Sequence, residues 1–146
     1  MIEIVSPAPF LEARALFERL TRLKPPLAAG ATYQLAGAKT FGLLIDGKLA
    51  VVIGFWPLGG GAEECFLIGL PAEELAPFML PLARAARLIL AGRLYSGTRQ
   101  VVGRIASGHV PGRRLARIAG FSLRPVSAPG AGEEWELSEW AHSSKA

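Results

Sequence analysis

From Pro9 onward, apolar residues recur at helical spacing. Phe10, Ala13, Leu16, Phe17, Leu20 and Leu23 fall on one face, while Glu12, Arg14, Glu18, Arg19 and Arg22 fall on the other. Pro9 suits the first turn of such a helix. Lys24-Pro25-Pro26 ends it, because a residue preceding proline is driven out of the helical region. The period then shortens. Phe41 to Ile45 and Leu49 to Phe55 are apolar runs around Asp46-Gly47, a dipeptide that accepts the positive φ of a tight hairpin. Gly59, Gly60 and Gly61 supply the next turn. Glu64 to Leu70 is apolar at nearly every position, as a strand covered on both faces requires.

Ala72 to Leu90 is rich in Ala, Leu and Arg and predicts the main helix. Pro77 and Pro81 interrupt its beginning, so the regular part is expected from Phe78 or Leu80, with Gly92 as its cap. Gln100 to Ala106 reads as another strand. Val110 to Ala119 reads as a short helix, with Pro111 in its first turn and Gly120 just past its end. Phe121 to Val126 and Glu133 to Trp140 form a final strand pair joined by the Ser127–Gly132 loop, and the tail 141–146 is expected to fray. No linker divides residues 1–140, which are read as one domain. The early strands form an antiparallel meander and the middle a β-α-β-α run. The fold class is therefore α/β (α+β), with one mixed sheet covered by helices.

Composition narrows the setting. Hydrophobic residues make up 51% of 146 and charged residues only 19%, which excludes overall disorder and leaves apolar surface for a protein partner or a second copy. Apolar runs stop well short of the roughly 20 residues of a spanning helix, so membrane insertion is not expected. The start, with Glu3 and no basic cluster, is not that of a signal peptide. One cysteine, Cys65, supports neither a disulfide framework nor a thiolate metal cluster, and suits a reducing compartment such as the cytoplasm. Acidic residues lie towards both ends. None occurs between Glu74 and Glu133, where Arg84, Arg87, Arg93, Arg99, Arg104, Arg113, Arg114, Arg117 and Arg124 are found. The Arg84–Arg124 region is either a solvated basic face or a surface for phosphate or polyanion, nucleic acid included.

Candidate chemistry is sparse. Glu63 and Glu64 open the central strand, where a carboxylate can take a proton from an amine or simply face solvent. His109 follows a strand end, a place where catalytic groups of open sheets gather, though a loop or cap role suits it better. Cys65 reads as a small buried hydrophobe. Trp56, Trp135 and Trp140 read as core or interface anchors.

The segment Gln100–Phe121, a strand, a polar break and a basic helix closing in Gly-Phe, resembles the GNAT superfamily of acetyl-CoA-dependent N-acetyltransferases. Counting back from Gly120-Phe121, Leu115 falls on the family's Leu. The element order resembles it along nearly the whole chain. The resemblance implies a mostly antiparallel central sheet that splays beside Phe66–Leu70. It implies acetyl-CoA as cofactor, with Phe66, Ile68 and Leu70 lying along its pantetheine and Arg113 and Arg114 near its phosphates. Glu64 and His109 become the catalytic candidates, and no metal is implied.

The family's Gln/Arg-x-x-Gly-x-Gly/Ala loop is here Gly69-Leu70-Pro71-Ala72-Glu73-Glu74, and its frequent Asn and Tyr fall on His109 and Ala116. In these departures the chain resembles the degenerate GNAT-like proteins of tailed phages and prophages. Glu64-Cys65-Phe66-Leu67-Ile68, the Arg84–Arg93 helix and Arg114-Leu115-Ala116-Arg117-Ile118-Ala119-Gly120-Phe121 fit their outline. Two functions follow as expectations. One is a virion-associated or interaction component with a degenerate acetyl-CoA site. The other is an active N-acetyltransferase that acts on an amine.

Overall fold

The computed structural model describes residues 1–21, 32–105, 110–123 and 133–138. The expected hairpin is present: Asp46 and Gly47 take φ values of 50° and 81°, and join β2 (Lys39–Ile45) to β3 (Lys48–Gly59). Three glycines with positive φ then turn the chain into β4 (Ala62–Gly69). The remaining described strands are β1 (Ile2–Val5), β5 (Gln100–Ile105), β6 (Ser122–Leu123) and β7 (Glu133–Ser138). The sheet order is β1-β2-β3-β4-β5-β7-β6. Every pairing is antiparallel except β4 with β5. The sheet is thus mixed and mostly antiparallel, as expected.

Alternation along β3 decides what covers each face. Val51, Ile53 and Phe55 point to a core shared with Leu82, Ala86, Ile89 and Leu90 of α4 (Met79–Tyr95). Ala119 of α5 (Val110–Ala119) and Phe121 complete that core. Val52 points the other way, to Ala13 and Leu16 of α1 (Phe10–Thr21) and Leu35 of α2, which spans 32–37. Fully burying a side chain such as Phe55 or Leu43 stabilises by about 2 kcal/mol. Of the face expected for α1, Ala13 and Leu16 are buried, Phe17 is half-buried and Phe10 is more exposed. Leu23 lies outside the described residues.

The main helix begins as expected, with an interrupted start and a regular part from Met79, and departs from expectation at its C-terminal end. It opens as α3 (Ala72–Leu75), passes through a 3-10 turn at Ala76–Phe78 that absorbs Pro77, and continues as α4 to Tyr95. Gly92 lies inside α4 and does not cap it. The cap is Gly97, at φ 108°: its N–H reaches Leu94 O at 3.2 Å, and Thr98 N–H reaches Arg93 O at 3.1 Å. This is a Schellman motif. The extra turn persists because Leu94 is buried and Arg93 has a partner on β4, described below. Ala72–Tyr95 has the length and mean hydropathy of a membrane span, and here it is the helix that covers the sheet.

The Gly-Phe ending is a second Schellman motif. Gly120, at φ 101°, donates to Arg117 O at 3.0 Å, and Phe121 N–H donates to Ala116 O at 2.9 Å. The ring of Phe121 is buried in the core beside Ala116, the apolar contact that accompanies this cap. Gly120→Ala forces an L side chain into a left-handed position. It is expected to cost about 1 kcal/mol, seen as a fall of about 3 °C in melting temperature. An unchanged melting temperature would show that the cap contributes nothing.

The strand β1 was not foreseen from the sequence, nor was α2. Ring contact explains how α2 is placed: Tyr33 lies 5.6 Å from Trp56 between centroids, and a Cβ on Gly37 would come within 2.7 Å of the Trp56 ring. Trp56 is therefore an anchor of α2 on β3. Trp140 lies outside the described residues.

Candidate functional site

Strands β4 and β5 run together for only four residue pairs, from Ala62–Gln100 to Cys65–Gly103. Past that point each stays with its other neighbour. Gly69 of β4 still pairs with Val51 of β3, and Ile105 of β5 still pairs with Glu133 of β7. The two strands part. Among the described residues, no strand pairs with the β5-side edge of Phe66–Gly69.

A cavity of about 320 Å³ lies at this parting, on the α4 side of the sheet. Its walls are Leu43, Val51 and Ile53 of the meander, Leu67 of β4, Leu75 of α3 and Leu115 of α5, with 69–72 along one side. The lining is almost wholly aliphatic. Such a cleft suits an apolar or thin, extended ligand better than a charged one.

The loop beside it has few donors to offer. Leu70 N–H is spent on Ala50 O at 2.9 Å, and Pro71 has no N–H. Glu74 and Leu75 N–H both turn back to Pro71 O, at 2.9 and 3.1 Å. Only the amides of Ala72 and Glu73 are left to the first turn, beside the exposed carboxylates of Glu73 and Glu74.

Alternation along β4 separates the candidate residues. Glu63, Cys65, Leu67 and Gly69 face α4, whereas Glu64, Phe66 and Ile68 face α1. Phe66 lies flat over Gly54, where a Cβ would meet its ring at 2.0 Å, and Ile68 is buried against Ala13 and Leu16. Their side chains are thus packing groups of the α1 face, and only their backbone borders the parting. Leu70 lines the cavity. Glu64 is half-buried on the α1 side, one residue before the strands separate, across the sheet from the cavity. On α5, Arg113 is half-buried and Arg114 exposed, flanking Leu115 of the cavity wall. His109 lies outside the described residues.

Glu63 has a different role from its neighbour. Both its oxygens accept from Arg93, with Nε–Oε1 at 3.0 Å, and Oε1 also accepts from Thr98 Oγ1 at 2.8 Å. The Arg93 guanidinium lies 5.4 Å from the Phe55 ring centroid. Burial pushes the Glu63 pKa up. The hydrogen bonds from Arg93 and Thr98 and the Arg93 charge outweigh burial, and hold the carboxyl below its ordinary value. Glu63 is a strut between β4 and the end of α4 and is not available as a base. Burial, with the charges of Glu63 and Glu64, pushes the Cys65 thiol up to about 12, so it is no nucleophile.

Sequence reasoning missed Arg93 as the partner of Glu63, and it missed Leu67 and Leu75 as cavity walls. No sequence signal marks either: Leu67 stands in an apolar run, and its exposure (46%) inside an otherwise covered strand is visible only in the fold.

No protein-family model matches the chain, and no curated protein sequence matches it. Solved structures do. The ribosomal-protein-S18-alanine N-acetyltransferase from Escherichia coli aligns over 94% of this chain and 94% of its own, at 15% identity and a TM-score of 0.68. An aminoglycoside acetyltransferase solved with coenzyme A and kanamycin aligns over 99% and 97%, at 11% identity and 0.71. A GNAT-family protein from Desulfovibrio desulfuricans aligns over 94% and 99%, at 17% identity and 0.70. The chain has the GNAT fold.

Proposed function

We propose that this chain is a GNAT-fold interaction component, with a degenerate acetyl-CoA site and without strong catalysis. The observation that carries this reading is the state of the loop at 69–73. A pyrophosphate is held by backbone amides at the start of a helix. Here one amide is spent on Ala50, the next position is Pro71, and the turn that follows carries Glu73 and Glu74. The apolar cleft suits a pantetheine thioester, but the loop does not suit the diphosphate behind it. The coenzyme as a whole does not fit. The pattern shared with phage and prophage proteins adds a virion-associated role, or a cytoplasmic one in a host cell. The exposed apolar positions and the basic Arg84–Arg124 region provide the surface for a protein partner, a second copy or nucleic acid.

A second reading, an active N-acetyltransferase, is favoured by the parting of β4 and β5. In this reading the amine comes from the α1 side, where Glu64 lies, and attacks through the gap between the strands. Glu64 then takes the amine's proton.

Acetyl-CoA titration followed by melting temperature decides between the two. A coenzyme bound at micromolar affinity stabilises by about 2.7 kcal/mol at a hundredfold excess over its Kd. The interaction reading expects no shift at millimolar coenzyme. A clear shift, with coenzyme A released when amines are added, overturns it in favour of the enzyme.

A further inference from the structure

The outward side of α4 carries side chains that the core and the cleft leave unused. Leu80 (59%), Arg84, Arg87, Leu88 (69%) and Tyr95 (94%) are all exposed, and helical spacing sets them on one ridge about 22 Å long. Beside Leu88 the surface drops into an open groove of about 490 Å³ between α4 and the β1–β2 rim. Ile4 (40%) and Phe41 give this groove apolar walls. Lys39 lies past the end of β1, which pairs no further along β2 than Gly42, and its ammonium stands 5.6 Å from the Phe41 ring centroid. No carboxylate lines the groove. Arg93, on its wall, is closed by Glu63, and Glu3 faces the other side of the sheet by alternation with Ile4. Glu73 and Glu74 precede the ridge, in α3, and no acidic residue occurs in α4. Among the described residues, no ion pair joins Lys39, Arg84 or Arg87 to a carboxylate.

This pattern discriminates among partners. A nucleic-acid backbone would pair with the cations and leave the leucines in water. A protein partner needs a packed apolar centre. Here Leu80, Leu88 and Tyr95 are strung about 10–12 Å apart, with Arg84 and Arg87 between the first two. A fluid anionic bilayer demands no fixed complementarity: acyl chains cover the leucines, lipid phosphates meet the cations, and a tyrosine suits the boundary between the two. We infer that the α4 ridge and the adjoining β1–β2 rim seat on an anionic lipid surface. Leu80, Leu88 and Ile4 enter the boundary of the acyl region, while Arg84, Arg87 and Lys39 each add about fivefold in affinity through lipid phosphates. The contact is peripheral, because the far side of α4 is committed to the core. It specifies the partner that the interaction reading leaves open, and it does not depend on what the cleft holds.

The test uses the full chain and two vesicle preparations, phosphatidylcholine alone and phosphatidylcholine mixed with phosphatidylglycerol. Co-sedimentation reads binding, and melting temperature checks folding. The expected result is binding to the anionic vesicles only, weakening about tenfold between low and high salt. Arg84→Gln with Arg87→Gln weakens it about tenfold or more, whereas Arg84→Lys with Arg87→Lys retains it. Leu88→Ser, at an exposed position, weakens it about fivefold or more with the charge unchanged. Tyr95→Trp adds fluorescence that anionic vesicles with brominated acyl chains quench. The inference is overturned if neither vesicle binds, if both bind alike, if the glutamine pair or Leu88→Ser binds as the unaltered chain does, or if the new tryptophan is not quenched. Duplex DNA held through the same arginines, without vesicle binding, overturns it in favour of nucleic acid. A dimer that Leu88→Ser dissociates, again without vesicle binding, overturns it in favour of a second copy. Each of these failures leaves the interaction reading standing, because the coenzyme titration tests that reading separately.

Discussion

Arg93→Ala is expected to lower the unfolding free energy by about 3 kcal/mol, a large share of the total for a domain of this size. Removing the guanidinium leaves Glu63, a buried residue at 9% exposure, with the Thr98 hydroxyl and no opposite charge. It also strips the Phe55 ring of its cation and frees the last turn of α4 from β4. Urea unfolding measures the loss. Replacing both members, Glu63→Leu with Arg93→Met, should recover much of it, since the cost lies in the stranded carboxylate more than in the missing attraction.

The pH dependence has a definite sign. The folded-state pKa of Glu63 lies below the ordinary value of 4.5. The pair's contribution is therefore fully present above about 4.5 and is lost as pH falls through the lower folded value. The gap between wild type and Arg93→Ala should be constant at neutral pH and close only in acid. A gap that stays open once Glu63 is protonated would remove the ion pair as its cause.

The second large effect is expected at Gly54→Ala. Its Cβ would lie 2.0 Å from Cζ of Phe66 and within 2.6 Å of both Cε atoms, in the middle of the sheet. The strand cannot withdraw, because β3 is paired on both sides at this point, with Thr40 and with Phe66 itself. The ring must swing off the α1-face cluster instead. The cost is about 2–3 kcal/mol of overpacking and lost burial. Repeating the substitution in a Phe66→Leu background supplies the control. If ring contact is the cause, the added methyl is tolerated there. Equal losses in the two backgrounds would put the cause in the backbone.

How far the sequence could be read depended on how local each signal was. The Asp46-Gly47 turn, the α1 face and the Gly120 cap are legible because each is a short pattern with one physical solution. Gly92 misled because a glycine in a helix is tolerated when the turn beyond it has partners, and those partners, Glu63 and the core around Leu94, lie elsewhere in the chain. The β1 strand escaped notice because four residues at a sheet edge, with Glu3 and Ile4 exposed, carry no strong alternation of burial. The site was the least legible part. The splay beside Phe66–Leu70 was expected from the family resemblance and is present, but nothing in Glu64–Leu70 itself says that its pairing with β5 stops at Cys65, because register is set by what flanks both strands. The spread of Glu64 and Phe66 to one face and Leu67 to the other follows from alternation. Which of those faces holds a cavity does not.

The parting of β4 and β5 also bears on how this sheet meets other chains. An unpaired strand edge on the outside of a protein invites any passing strand to join it. Here the edge, unpaired among the described residues, lies in the interior of the sheet, with β5 diverging on its far side. A broad partner cannot reach it, but a single extended molecule can. A fault that would ordinarily favour aggregation thus becomes a size filter, set by where the pairing of two strands stops.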